Sequence, residues 1–570
     1  MVHLLEPAQS LSKPAPYASL SYCWGSDLDG IAMTTKSNKG AHYDGILLNS
    51  LPRTVRDAVL VCQGLGIRYL WVDALCIVQD DSNDWQREAA QMGQIYLNSH
   101  ITIAAHAPAS CQEGFLGKQD YGQRSWQREF WTEFGTHCGR SKRRKFFIRM
   151  CTFARMQKFD KPSALTQRGW TLQETILPPR ILHYTGAEMA WECNTRHFCE
   201  CGHVSEDMPM VKTELSHRSS FHQGTELAVD GWMQLIERYS NRGLTHRSDK
   251  LVAISGLVQI YGAKLCNSNG GYDTAKLPNS IKSGAVQKPP SHGSAYLAGL
   301  FRTALQRHLL WYTGDPRLYS GKSNLSISPS NHRASNRRAP TWSWASVDTP
   351  IKYLPLSSES QVERSHIVVH DGESFCKPLF AENPVEAVSV GELLLEGSMV
   401  PVRLIIIEQT PGSIYDISEN WPGSVSFVRS RNGWTERVSC DVPRDLEFRK
   451  GDPRYNCWDR NHNPLDPEYS CWDQGYCRCS ECNLEKEQWS EPQFCCLKVA
   501  TYLESVGTSI YFLLLERSEA IAGVWERVGV GVKRYGSVDF EDDDNANKGF
   551  TEADKMEFVE DAKIEKLRII

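Results

Sequence analysis

The sequence predicts an α/β N-terminal domain built on a parallel sheet, followed by a helical segment and a β-rich C-terminal module. Three observations carry this. Between residues 17 and 105, short β-type runs alternate with stretches of 3.6-residue apolar period, as in βαβ units. Between residues 205 and 265, helical spacing dominates. From Pro340 onward, short apolar runs are separated by turn formers, the texture of a β-rich fold. The 570 residues leave room for two or three domains with substantial cores.

Taken in order, residues 1–16 read as a short arm. YASLSYCW, at 17–24, reads as a strand that Gly25 ends, and GSDLDG reads as a loop. In LPRTVRDAVLVCQGLG, Val55, Ala58, Val59 and Cys62 fall at i, i+3, i+4 and i+7. That predicts a helix over 53–63, with Pro52 where a first turn tolerates proline and Gly64 or Gly66 as its stop. Residues 68–77, including LWVDALCI, are apolar and bulky and read as the second strand. The connector QDDSND leads into a helix over 84–97, whose Trp85, Ala89, Met92 and Tyr96 share one face. Asp81 is its expected N-cap, and Asp84 lies in the first turn, where the helix dipole favours negative charge. HITIAA gives a third strand at 101–105.

Residues 112–162 are basic and aromatic, and their RSKRRKFF run is expected to be a solvated loop. In LTQRGWTLQETILPPR, the RGW turn opens a short helix that Pro178 and Pro179 must stop. Arg168, Trp170, Gln173 and Glu174 in this segment bring charge and an indole back to the first half of the domain. RILHYTG and EMAWEC read as two further strands. Trp232, Leu235, Ile236 and Tyr239, and later Leu251, Ile254 and Leu257, show helix spacing. Residues 266–294 read as a surface loop, 296–311 as an amphipathic helix and 320–339 as a linker. TWSWASVD, VGELLLEGSMVPVRLIII, FCCLKVATYL, SIYFLLLER and WERVGVGVKR are expected strands. They flank a cysteine-dense insert at 453–496, and the chain ends in an acidic tail whose last part reads as a short helix. The expected map is therefore an arm at 1–16, a first domain at 17–204, a helical region at 205–319, a linker at 320–339, a β-rich module at 340–540 and an acidic tail at 541–570.

Composition narrows the function. A net charge of −5 over this length gives no electrostatic footprint for nucleic acid. The longest apolar runs are too short to span a bilayer, so no transmembrane segment is expected. The first residues lack a basic stretch followed by a long apolar run, so the expectation is a cytoplasmic protein. Its 19 cysteines are then mostly reduced. Cys471, Cys477, Cys479 and Cys482, spaced C-x5-C-x-C-x2-C, are candidate zinc ligands, although they lack the paired C-x2-C halves of a common finger. Cys23 or Cys76 with His106 or His183 would make a thiol hydrolase, against the simpler reading of thiols buried inside strands.

Glu88 is the leading catalytic candidate. It lies about 70° from the centre of its helix's apolar stripe, near the exit of the preceding strand, where open α/β sheets collect ligands. A solvated residue flanking Arg87 is the other reading. No G-x-G-x-x-G opens a helix.

YASLSYCWG, LPRTVRDAV, LGIRYLWVDALCIVQDDSNDWQREAAQMGQIY and LTQRGWTLQE together resemble the fungal heterokaryon incompatibility (HET) domain, most densely over 17–174. YSNRGLTHRSDKLVAISGL, APTWSWASVD and VWERVGVG are similar to the region C-terminal to that domain in its long members. The resemblance implies a fungal protein of non-self recognition and programmed cell death. Its partners would be other incompatibility proteins or further copies of itself. The HET domain is in turn remotely similar to Toll/interleukin-1 receptor (TIR) domains, some of which cleave NAD with a helix glutamate in a W-x-x-E-like context. Trp85 and Glu88 fall in that context, which makes a TIR-like fold, NAD as substrate and Glu88 as catalytic carboxylate the implied chemistry. Tyr22, Trp24, Asp73 and Trp85 are the implied nucleotide-site residues. The alternative is a non-enzymatic signalling module that self-assembles and acts through protein partners.

Overall fold

The structure, a computed structural model, describes residues 1–6, 13–26, 32–116, 128–135, 141–148, 163–186, 189–200, 225–265, 296–313, 339–354, 361–365, 367–369, 375–378, 388–408, 424–430, 435–440, 494–504, 507–518, 521–535 and 563–570. The chain divides into two compact units, Met1–Lys264 and Leu265–Ile570. The loop at 266–294, all but the last residue of the linker at 320–339 and the four candidate zinc cysteines lie outside the described residues. Among the described residues no helix is long and apolar enough to cross a membrane.

The first unit is organised by a six-stranded sheet. Its strands are β1 (Tyr17–Ser21), β2 (Tyr69–Trp71), β3 (Ile101–Ala105), β6 (Arg180–Tyr184), β7 (Met189–Cys193) and β8 (His197–Cys199), in the order β2-β1-β3-β6-β7-β8. A separate hairpin of β4 (Arg128–Gly135) and β5 (Ser141–Ile148) intervenes in the chain, so the SKRRKFF part of the basic run is in a strand rather than the expected loop. β1 is parallel to β2 and β3, and β3 is parallel to β6. β7 and β8 then add antiparallel strands. The sheet is mixed and mostly parallel.

The helices of this unit are α1 (Lys39–Asp44), α2 (Arg53–Gly64), α3 (Asp73–Cys76), α4 (Ser82–Asn98), α5 (Thr171–Ile176), α6 (Thr225–Ser240) and α7 (Ser255–Leu265). α2 covers one face of the sheet. Its Val55, Ala58, Val61 and Cys62 pack with Ala18, Leu20, Ile101, Ile103 and Ala105, and each large side chain among them contributes roughly 1.5–3 kcal/mol by leaving water. The expected start of α4 holds: the Asp81 side chain accepts from the Asn83 N–H, and Ala89, Met92 and Tyr96 are buried. Gly93 allows α4 to touch the start of α7, since a Cβ there would sit 2.4 Å from the Gly256 Cα.

The second strand is shorter than its apolar run suggests. It stops at Trp71, and Asp73 turns the chain into α3 by accepting the Ala74 N–H at 2.7 Å. The apolar character of ALCI reflects burial of this helical turn, not a strand. The first residues, read as an arm, are pinned: Val2 and Ile46 exchange backbone hydrogen bonds.

In the second unit a ten-stranded sheet carries the expected β-rich texture, with VGELLLEGSMVPVRLIII inside the strand Val388–Glu408 and the later apolar runs in Phe494–Glu504, Gly507–Arg517 and Val524–Tyr535. Three local expectations fail here. Residues 296–311 do not form one helix. Tyr296–Leu297 and Leu300–Phe301 are a hairpin across Ala298 (φ 40°) and Gly299 (φ 102°), and only Leu305–His308 keeps an α turn. Gly299 is required twice, for its positive φ and because a Cβ would lie 2.4 Å from the Trp344 indole nitrogen. TWSWASVD holds a 3₁₀ turn, Trp344–Ser346, because the Ser343 hydroxyl caps the Ala345 N–H at 3.0 Å. The end of the acidic tail is the strand Lys563–Ile569, paired along Val388–Glu408; Leu567 and Ile569 alternate into the core, so the period is two, not 3.6.

Candidate functional site

The face of the first unit's sheet opposite α2 presents a different set of side chains. Along β1 the period of two that sends Ala18 and Leu20 to α2 sends Ser19 and Ser21 the other way, and β3 adds Thr102. All three are fully or almost fully buried. The Ser19 and Thr102 hydroxyls bond each other at 2.7 Å. The Ser21 hydroxyl donates to Glu174 on α5. The Tyr96 hydroxyl of α4 donates to the Leu20 carbonyl at 2.9 Å and is also hydrogen-bonded with Glu174.

Around the carboxyl ends of β1 and β2 these contacts widen into a charged cluster. Trp24 donates its indole N–H to Asp73 at 2.9 Å, and the Tyr22 hydroxyl is hydrogen-bonded to the same carboxylate. Arg168 donates to the Tyr22 carbonyl at 2.8 Å, and its guanidinium acts on both Asp73 and Glu174. Burial, then Asp73, pushes the Glu174 carboxyl up to about 7, with Ser21 and Arg168 pulling the other way. Asp73 is also raised by burial, against the opposing pull of Arg168 and of the Ala74, Trp24 and Tyr22 donors. Burial lowers Arg168, but Glu174 and Asp73 more than offset this and its net shift is upward. One guanidinium between two buried carboxyl groups therefore pulls both Asp73 and Glu174 down against the upward push of burial, and leaves Glu174 poised near neutrality.

The RGWTLQE segment thus works in two directions. Arg168 and Glu174 face the sheet. Trp170 meets Trp85 edge-on at 6.4 Å and donates to Asp249, while the Gln173 side-chain oxygen accepts from the Gly256 N–H. Arg242, which donates to the Arg168 carbonyl and the Thr171 hydroxyl, closes this side.

Glu88 lies on α4 one turn beyond Trp85. It is half-buried and pairs with Arg87 at 3.4 Å. Burial first and then Asp84 raise its carboxyl above the usual range, with Arg87 opposing. Asp84 is itself buried and accepts the Val78 N–H at 2.8 Å, tying the start of α4 to the segment leaving α3. No hydrogen bond or ion pair among the described residues joins Glu88 to Asp73, Arg168 or Glu174. Tyr22, Trp24, Asp73, Arg168 and Glu174 therefore form one cluster, while Trp85 and Glu88 flank it on α4.

Cys23 and Cys76 are both raised by burial, Cys76 to about 12, and neither is hydrogen-bonded to a histidine. Cys23 is a buried thiol and Cys76 a partly buried one. His106 and His183 instead bond each other: His106 Nε2 lies 2.9 Å from His183 Nδ1, and His183 Nε2 lies 3.1 Å from Glu192 Oε2. His106 Nδ1 is 3.0 Å from the Ser163 hydroxyl. Burial, then His183 and Arg242, pushes His106 down to about 3, so its ring is neutral. Sequence reading missed Ser21, Tyr96, Ser163, Glu192 and Arg242. The LHY and WEC runs placed polar groups inside two apolar strands, and that was the available signal for His183 and Glu192. Among the described residues no group of three or more His, Cys, Asp or Glu side chains is arranged to hold a metal ion.

Residues 17–174 match the family model described as Heterokaryon incompatibility protein (HET), so this stretch is a HET domain. The match covers β1 through most of α5 and therefore holds Glu88 and every member of the charged cluster named above. No curated protein and no solved structure matches the chain.

Proposed function

We propose that the HET domain at 17–174 makes this chain a heterokaryon incompatibility protein, an effector of non-self recognition and programmed cell death that works by TIR-like cleavage of NAD. The strand order β2-β1-β3 supports this reading, because it reverses direction at β1. In open parallel sheets nucleotides bind where that reversal opens a crevice beyond the strand carboxyl ends. Tyr22, Trp24 and Asp73 stand at those ends, which suits them to a nucleotide wall.

The observation that carries the reading is Glu88, a half-buried carboxylate raised by burial, on α4, the second helix after the carboxyl end of β2. Cleavage of the nicotinamide–ribose bond builds positive charge on the ribose. A fixed carboxylate with little water around it stabilises that charge. Trp85 holds the turn that bears Glu88 through its edge contact with Trp170. Purified full-length protein at high concentration should release nicotinamide from NAD, and Glu88→Gln should lower the rate about a hundredfold or more. No release from wild type, or equal release from the variant, defeats the enzymatic reading.

A second reading is a non-enzymatic module that self-assembles and signals through partners. It is favoured by the bonding of Asp73 and Glu174, whose oxygens are taken up by Trp24, Tyr22, Ala74, Ser21 and Tyr96. Cell death retained in Glu88→Gln without NAD turnover would select it.

A further inference from the structure

From the chain of contacts between Ser163 and Glu192, we infer that the first unit carries a second reactive centre, a serine nucleophile for acyl esters or thioesters. Four side chains from four parts of the fold form one series. Glu192 on β7 and His183 on β6 are buried, while His106, just beyond β3, and Ser163 are half-buried at the outer end. The three links measure 3.1, 2.9 and 3.0 Å.

With Glu192 ionised, valence sets the direction of the series. The carboxylate then only accepts, so His183 carries its proton on Nε2 and accepts at Nδ1. His106 must then donate from Nε2, which leaves its Nδ1 as an acceptor for the Ser163 hydroxyl proton. The other contacts of Ser163 Oγ are longer, 3.3 Å both to the Thr166 N–H and to the Thr166 hydroxyl. Capping the Thr166 N–H uses an oxygen lone pair, and the hydroxyl proton has two acceptors, Thr166 Oγ1 at 3.3 Å and His106 Nδ1 at the shorter 3.0 Å. A hydroxyl, a neutral imidazole that accepts its proton and a buried acid that orients the imidazole stack are the parts of an acyl-transfer site. The second imidazole lengthens the usual triad by one link.

The step balances without further groups. Ser163 Oγ bonds to the substrate carbonyl carbon as its proton passes to His106 Nδ1. The imidazolium charge is shared through His183 towards Glu192, which offsets the repulsion from nearby Arg242. The carbon–oxygen or carbon–sulfur bond to the leaving group then breaks, and that group takes the proton from His106. Water attacks the acyl-serine by the same route, releasing a carboxylic acid and restoring Ser163. Ser163 and His106 are the catalytic residues, and His183 and Glu192 are positioning residues.

The test is covalent labelling of the full chain with an alkyl fluorophosphonate, read by peptide mass spectrometry. An adduct should form on Ser163 about a hundredfold faster than on surface serines, and Glu192→Gln should remove most of that advantage. Ser163→Ala should abolish the adduct while leaving amide-exchange protection of β3 and β6 unchanged, which separates reactivity from folding. If Glu192→Gln does not fold, the wild-type rate decides alone. A Ser163 that labels no faster than other serines, or a folded Glu192→Gln that labels at the wild-type rate, overturns the inference. NAD turnover is not read in this assay, so its outcome is independent of the proposed NAD chemistry.

Discussion

On one face of the HET-domain sheet, Ala18, Leu20, Ile101, Ile103 and Ala105 meet Val55, Ala58 and Val61; on the other, Ser19 pairs with Thr102, Ser21 bonds Glu174 and Tyr96 bonds the Leu20 carbonyl. Both faces are buried, and the same five-residue strands supply both. The apolar face gains stability from area and tolerates imperfect matching. The polar face loses solvation for every hydroxyl and carboxyl it buries, and it is stable only because each has a partner at bonding distance. A one-residue slip of β1 would put Ser19 and Ser21 against α2 and Leu20 against Glu174, so the polar face also specifies the register.

The largest expected effect comes from removing the cation that makes the polar face tolerable. Arg168→Met leaves Asp73 and Glu174 buried together without their guanidinium. Breaking a buried charge arrangement from one side costs roughly 3–5 kcal/mol. Hydrogen exchange at the β1 and β3 amides of the full chain reads it as opening of this domain. A loss no greater than that of an apolar-face truncation such as Ile103→Val, about 0.5–1.5 kcal/mol, would make the two faces equivalent.

The next contrast is in pH. The folded Glu174 carboxyl sits at about 7, above its ordinary value of 4.5. The folded state therefore holds this proton more tightly than the unfolded chain. Its contribution is fully present below about 4.5 and is lost as pH rises through 7, by roughly 3 kcal/mol in all. Glu174→Gln, which stays neutral, should flatten this part of the stability profile between pH 5 and 8. Substitutions on the α2 face should leave the slope in place. An unchanged slope in Glu174→Gln assigns the pH dependence elsewhere.

A purely steric test comes next in size. Gly93→Ala places a methyl group 2.4 Å from the Gly256 Cα, where both sides are backbone and neither can swing away. The helices must separate at a cost of about 1–3 kcal/mol. Because α5 lies beside this crossing, through Gln173 and the Gly256 N–H, exchange should rise at α5 more than at α2.

Much of this division was legible in advance, and its limits have physical causes. The helix over 53–63 and its apolar stripe announced the α2 face, and Asp81 and Tyr96 placed α4 correctly. The RGWTLQE segment named Arg168 and Glu174. Their partners were not legible, because Ser21 and Tyr96 lie 153 and 78 residues from Glu174 in sequence, and a serine in a strand or a tyrosine on an apolar stripe carries no mark of what it will bond. Tyr96 counted as apolar in a periodicity argument, while its hydroxyl is what ties α4 to β1. Similarly, the spacing at 296–311 fits a helix, and the Ala298–Gly299 turn overrides it because of a tryptophan 45 residues away. Local pattern gives the elements; the polar matching that selects a face comes from contacts far apart in sequence.

The smallest effect is the sharpest test of why the polar face is stable. Ser19→Ala leaves the Thr102 hydroxyl without its 2.7 Å partner, although the Ser99 hydroxyl at 3.2 Å can still serve it. The single substitution should cost about 1 kcal/mol, because a buried group loses its better bond. Ser19→Ala with Thr102→Val removes both halves and keeps nearly the same shape, and Ser99 still donates to the Tyr96 carbonyl at 2.8 Å. If matching rather than polarity itself stabilises this face, the double variant should unfold no more readily than the single one and should recover most of its loss. If the two losses simply add, the hydroxyl pair contributes through direct bonding strength, and the contrast between the faces becomes one of degree.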